Sequence, residues 1–166
     1  MKHTLFPLFV DLSGQEVLMI GAGTIAARRI HILLPFVQHM TVIAPTFCPA
    51  VLAEEKTSAE SLHLIQQTMQ LSDLPSFPWE SYGIVLAATD DAALNAEVAR
   101  ECRSRRIPVN VSSDQTLCDF QFPSIVQTGN LVVGINASGR DHALVKQSRQ
   151  RIEEALEVTG ADRRYL

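Results

Sequence analysis

Cysteine is scarce and unpaired in this sequence. Cys48, Cys102 and Cys118 are widely spaced and form no C-x-x-C pair. That argues against a disulfide framework and a thiolate metal site, and fits a reducing compartment. No apolar run approaches the ~20 residues of a membrane-spanning helix. The opening run Leu5 to Val10 is cut by Asp11, short of a signal-peptide core. A cytoplasmic location with no membrane partner is therefore predicted. Positive charge is not in excess either: 14 Lys+Arg face 18 Asp+Glu, a net charge of -4. Such a surface repels a phosphate backbone, so nucleic acid is not predicted as a partner. The histidines form no ligand pair: His31 and His39 fall on different elements, and His3 and His63 are isolated. No metal site is predicted from their spacing. Internal repeats and low-complexity tracts are absent.

With 46% hydrophobic and 19% charged residues, the chain has the balance of an ordered globular protein. Glu16 to Ile20 (EVLMI) is a short apolar run between Gly14 and Gly21, the pattern of a buried strand. Thr24 to Leu34 follows with apolar residues at helical spacing and a stop at Pro35. Strands are predicted at Met40 to Ala44, Leu62 to Gln66, Gly83 to Ala88 and Ile107 to Val111. Helices are predicted at Cys48 to Lys56 and Asp91 to Ser104, with Ser72 to Ser81 a proline-bearing loop. Strands that alternate with helices and are continuously apolar indicate a parallel sheet covered on both faces. Beyond residue 115 the rhythm changes. Asp119 to Pro123 and Asn130 to Asn136 read as a strand pair joined by a turn at Thr128-Gly129. Asp141 to Val158 reads as a helix with Leu144, Ser148, Ile152 and Leu156 in one stripe. So little apolar surface cannot form an independent core, so the tail needs a partner, naturally a second subunit.

Gly21-Ala22-Gly23-Thr24-Ile25-Ala26 fits G-x-G-x-x-G/A between the first strand and the first helix. In that pattern Gly21 permits the tight turn, Gly23 lets the backbone approach a pyrophosphate, and Ala26 allows close helix–strand packing. The helix N-terminus adds free N–H groups and a positive dipole end. The bland reading is an ordinary tight turn; the context favours a dinucleotide site. The predicted class is thus α/β, a Rossmann-type doubly wound parallel sheet over residues 1–111, with a small α+β dimerisation and substrate-site extension over 112–166. The second strand ends Ile43-Ala44-Pro45-Thr46, with neither a carboxylate for ribose hydroxyls nor an Arg for a 2′-phosphate. These residues do not choose between NAD and NADP. Thr89-Asp90-Asp91 follows the fourth strand, where Thr89 meets the ligand edge and Asp90 or Asp91 caps the next helix.

Pro7-Leu8-Phe9 with Leu12, the glycine turn, Ala88-Thr89-Asp90-Asp91 with Asn95, Val109-Asn110-Val111, and Cys118-Asp119-Phe120 with Phe122-Pro123 stand in register. In these motifs the chain resembles the precorrin-2 dehydrogenase / sirohydrochlorin ferrochelatase family, the amino-terminal module of siroheme synthases. The resemblance covers roughly residues 5 to 155. It implies oxidation of precorrin-2 to sirohydrochlorin with NAD, insertion of ferrous iron in some members, and a homodimer joined through Ser112 to Arg149. It places cofactor contacts at Thr24, Ile25, Pro45 and Thr46 beside the glycine turn.

This chain departs from the family twice. The family reads N-V-x-D-D, its first Asp implicated in catalysis; here that position is Ser113, and Asp114 matches only the second. In extended backbone the two side chains point to opposite sides, and a Ser hydroxyl is a poor general base. Ser113 and Asp114 are therefore the candidate catalytic residues. The alternative is a non-catalytic NAD-binding or tetrapyrrole-handling homologue. After the last strand, the usual Gly-Gly turn with Ser-Pro is replaced by Ala137-Ser138-Gly139-Arg140-Asp141-His142. Arg140 is either a carboxylate ligand for a tetrapyrrole or a solvated turn residue, and His142 either a proton carrier or an exposed first-turn residue. Relatives often continue into a helical third region; the stop at Leu166 predicts a more open cleft.

Overall fold

Short segments rich in Val, Ile, Leu and Met form the strands, because such side chains fit a sheet covered on both faces. The computed structural model describes residues 5–156. It divides into two units, Asp11–Phe120 and a second that joins the N-terminal residues up to Val10 with the chain from Gln121 onward. The first unit contains β1 (Glu16–Ile20), α1 (Thr24–Leu33), β2 (His39–Ala44), α2 (Pro49–Thr57) and β3 (Leu62–Gln66), then β4 (Ile84–Ala87), α3 (Ala92–Ser104) and β5 (Val109–Val111). Every pairing is parallel, in the order β3-β2-β1-β4-β5. This is the Rossmann-type sheet expected from the alternation. Its order reverses between β1 and β4, so the carboxyl ends of these two strands open a crevice.

Alternation along each strand divides the buried side chains between the faces. Leu18 and Ile20 of β1 join Val85 and Ala87 of β4 in one core with Leu94, Val98 and Cys102 of α3. Trp79 completes this core from the proline-bearing loop, where two short 3-10 turns lower it to full burial. Its indole N–H donates to the Leu74 carbonyl at 2.8 Å, which satisfies its one polar atom away from water. The opposite face takes Val17, Met19, Met40 and Val42, while Ala26 and Ile30 of α1 and Val51 of α2 are also buried. Pro35 ends α1 as expected, drawing Leu34–Phe36 into a 3-10 turn.

Two expectations about the second half shift. The break does not fall after Val111, because Ser112 to Phe120 folds back on β5. The Asp119 N–H donates to the Val109 carbonyl, the Asp119 carboxylate accepts from the Val109 N–H, and the Asn110 carboxamide donates to the Phe120 carbonyl. These bonds commit Asp119 and Phe120, so the first strand of the pair is not Asp119 to Pro123. It is β6 (Ser124–Thr128), antiparallel to β7 (Leu131–Ile135). The turn falls one residue later, at Gly129-Asn130, where Gly129 takes a φ of 52°. α4 (His142–Ala155) follows, with the Asp141 carboxylate accepting from the Leu144 N–H. The last two residues predicted for this helix, 157 and 158, lie outside the described residues.

The second unit buries little. Val126 is buried, and so is Glu153, whose carboxylate accepts from Arg149 at 2.7 Å. Leu144, in the apolar stripe of α4, is half exposed, as is Leu131. Leu5 to Val10 is without helix or strand, and Phe6 stands 86% exposed. No helix among the described residues is long and apolar enough to cross a membrane.

Candidate dinucleotide site

Gly21 leaves β1 with a φ of 103°, a conformation that L side chains rarely adopt. A Cβ there would lie 2.4 Å from the Ala88 carbonyl oxygen. The position therefore needs glycine twice over, for the turn and for the approach of β4. Gly23 differs. Its φ is -79° and nothing lies within 4 Å of an added Cβ. What its missing side chain leaves is open space at the wall of the cleft, suited to the close approach of a ligand. α1 starts directly after it with no side-chain cap and no acidic residue in its first turn. The N–H groups of Thr24, Ile25 and Ala26 thus have no intrahelical acceptor, and they meet the cleft with the positive end of the helix.

The cleft has a volume of about 720 Å³. Gly21, Gly23, Thr24 and Ile25 form one wall, Pro45 and Thr46 the second, and Thr89 the third. These predicted cofactor residues are thereby brought together, with Ile25 about half exposed at the mouth. Ala26 is the exception: it is fully buried beneath the turn, where its small side chain serves packing rather than contact. Backbone N–H groups at the start of α1 and the hydroxyls of Thr24, Thr46 and Thr89 are a donor set that suits an elongated phosphate ester of dinucleotide type, although among the described residues no Lys or Arg lines the cleft and Asp90 and Asp91 do.

Of the two candidates for the helix cap, Asp91 is the cap. Its carboxylate accepts from the N–H groups of Ala93 and Leu94 at 2.9 and 3.0 Å. Thr89 is held by Asn95: the Asn95 Oδ1 accepts from the Thr89 N–H at 3.2 Å and lies 2.8 Å from Thr89 Oγ1. The Asn95 Nδ2 donates to the Thr89 carbonyl at 3.0 Å and to Ser113 Oγ at 3.2 Å. Sequence reasoning used Asn95 only as part of a resemblance. A lone Asn in a helix carries no local sign that it will bridge two loops.

Ser113 and Asp114 follow β5, where Ser112 is the residue that lines the cleft. Ser113 is exposed and joined to Asn95. Asp114 turns the other way: its carboxylate accepts from the Thr116 hydroxyl at 2.7 Å and the Thr116 N–H at 2.8 Å. The hydroxyl bond, reinforced by the backbone bond, holds the Asp114 carboxyl below the ordinary carboxylate range. A carboxylate so stabilised is a weak proton acceptor near neutrality. Arg140 and His142 are exposed at the start of α4. Among the described residues no group of three His, Cys, Asp or Glu is placed to hold a metal ion.

The free cysteines offer a check on this cleft. Burial pushes the Cys102 thiol up to about 12, whereas Cys48 and Cys118 are half-buried and Cys48 lines the cleft. Thiolates are the reactive species. Alkylation of the native protein is expected to label Cys48 and Cys118 first and Cys102 only on unfolding, with NAD protecting Cys48 alone. Peptide mass mapping reads the order; Cys48 reacting equally with and without NAD would displace the ligand from this cleft.

Comparison with known proteins gives three concordant findings. A family profile described as "Putative NAD(P)-binding" matches residues 8–124. "Siroheme synthase 1" of Serratia proteamaculans (strain 568) is 35% identical over 150 residues, and "Siroheme synthase" of Sodalis glossinidius (strain morsitans) 37% over 150. Each alignment covers 90% of this chain, which spans 30% of the length of either relative. Among solved structures, "SirC, precorrin-2 dehydrogenase" superposes with a TM-score of 0.70 at 26% identity, over 91% of this chain and 71% of that one.

Proposed function

The chain belongs to the NAD(P)-binding family whose profile matches residues 8–124, and we propose that it oxidises precorrin-2 to sirohydrochlorin with NAD, a step of siroheme biosynthesis. The observation that carries this reading is the likeness to the precorrin-2 dehydrogenase structure over nine-tenths of the chain, at 26% identity. The siroheme synthase relatives point the same way. When bound, NAD supplies a hydride acceptor. The chain's own part is to hold and orient. Gly23, Thr24 and Ile25 would offer backbone N–H groups to the pyrophosphate beside the Gly21 turn, whose own N–H is bonded to the Ile43 carbonyl, and Pro45, Thr46 and Thr89 would border the rest of the dinucleotide. The loop after β5 is the proton-handling side, with Ser113 at the position of the family's catalytic Asp and the neighbouring Asp114 held by Thr116. Orientation of this kind is the larger share of the catalysis expected here.

Mixing the protein with NAD and enzymatically made precorrin-2 is expected to give NADH and sirohydrochlorin in equal amounts. Adding ferrous iron to the same mixture reads the second activity, as siroheme absorbance. NAD binding without NADH formation would replace the proposal by that of a non-catalytic tetrapyrrole-handling homologue.

The second unit serves as the dimerisation and substrate-site extension of a cytoplasmic homodimer. Phe6, Leu8, Phe9 and Val10 are exposed in it together with Leu131 and Leu144, more apolar surface than so small a unit leaves to water without a partner. Sedimentation at micromolar concentration is expected to give a dimer; a strict monomer would overturn this part.

A further inference from the structure

Asn95 is fully buried at the start of α3, and both ends of its carboxamide are engaged. The backbone decides which end is which. The Thr89 N–H can only donate and the Thr89 carbonyl can only accept, so Oδ1 faces the first and Nδ2 the second. Nδ2 therefore also faces Ser113, 3.2 Å away, and the Ser113 oxygen is the acceptor in that bond. With its oxygen engaged, the exposed Ser113 hydroxyl has its hydrogen left to donate to a ligand.

We infer that Asn95 is the positioning residue of this site, locking the cleft-lining Thr89 and the exposed Ser113, next to cleft-lining Ser112, into one frame with the Ser113 hydrogen left to donate. Thr89 and Ser113 lie 24 positions apart and come from the loops after β4 and β5. Through a single rigid amide, a change at either is felt at the other. A helix-start Asn with a merely structural role would stabilise α3 and leave the two loops independent. The part this plays in turnover rests on the reading of the protein as a precorrin-2 dehydrogenase; its part in dinucleotide binding does not.

The test is a double-mutant cycle on NAD affinity, measured by calorimetry with the full chain. Thr89→Val and Ser113→Ala are made singly and together, in positions that leave the buried amide in place. Residues that share a hydrogen-bonding partner show non-additive effects. The combined variant is expected to depart from the product of the single effects by roughly fivefold or more. Asn95→Asp keeps the shape and the acceptor but loses the donor to Thr89 and Ser113. It is expected to weaken NAD about tenfold, and in the assay with precorrin-2 to lower kcat while leaving KM for precorrin-2 in place. Additive effects in the cycle would overturn the inference, whether or not Asn95→Asp folds. Coupling without any oxidation of precorrin-2 by the unaltered protein would keep the positioning role and remove the proposed reaction; turnover with additive effects would do the reverse.

Discussion

Replacing Gly21 by alanine is expected to remove dinucleotide binding and to cost about 2–6 kcal/mol of stability. The new methyl would sit 2.4 Å from the Ala88 carbonyl oxygen, 2.6 Å from its carbon and 2.9 Å from the Thr89 nitrogen. All three are backbone atoms, and the backbone has little room to yield. The Ala88 N–H donates to the Ile20 carbonyl at 2.8 Å, and the Gly21 N–H to the Ile43 carbonyl at 2.9 Å. Relief by moving β4 breaks the first bond, and relief by turning Gly21 breaks the second. The φ of 103° adds strain of its own. Gly23→Ala is the matched control. Its methyl meets nothing within 4 Å and its φ is ordinary, so the fold should hold while the methyl stands in the way of the ligand. Urea unfolding together with NAD calorimetry separates the two. A Gly21→Ala protein as stable as the unaltered chain would show that the turn is not the strained junction described.

Ser113→Asp is expected to raise the rate of precorrin-2 oxidation by ~10²–10⁴-fold, the range of a positioned general base. The setting for a carboxylate is already present, because Asn95 Nδ2 donates to the Ser113 oxygen and would donate to a carboxylate oxygen in its place. Asp114→Asn is expected to change turnover little, since Asp114 is occupied with Thr116. Its effect is on the local turn. A carboxyl held below its ordinary range adds stability when ionised, present at neutral pH and lost as the pH falls through that lowered value. Initial rates of NAD reduction across the two variants decide the matter. Loss of turnover in Asp114→Asn with Ser113→Asp neutral would make Asp114 the working group. Silence in both would remove the loop from the chemistry.

What the sequence by itself determined is what local pattern can carry. The run Glu16 to Ile20, the glycine turn and the helix behind it occupy one continuous stretch, and each step follows from backbone freedom or apolar periodicity within a few residues. The same holds for Asp91 as a helix cap, a bond to its own next turn. Tertiary structure decided whatever depended on distant partners. Asp119 and Phe120 look like the start of a strand, yet their hydrogen bonds run back to Val109 and Asn110, and the strand begins at Ser124 instead. Ser113 and Asp114 are neighbours with similar claims on paper; one is drawn to a buried amide 18 positions earlier and the other to the hydroxyl two positions later. Only the order of strands in the sheet brings the loops after β4 and β5 side by side. A buried carboxamide that must satisfy its hydrogen bonds away from water then ties Thr89 of one loop to Ser113 of the other.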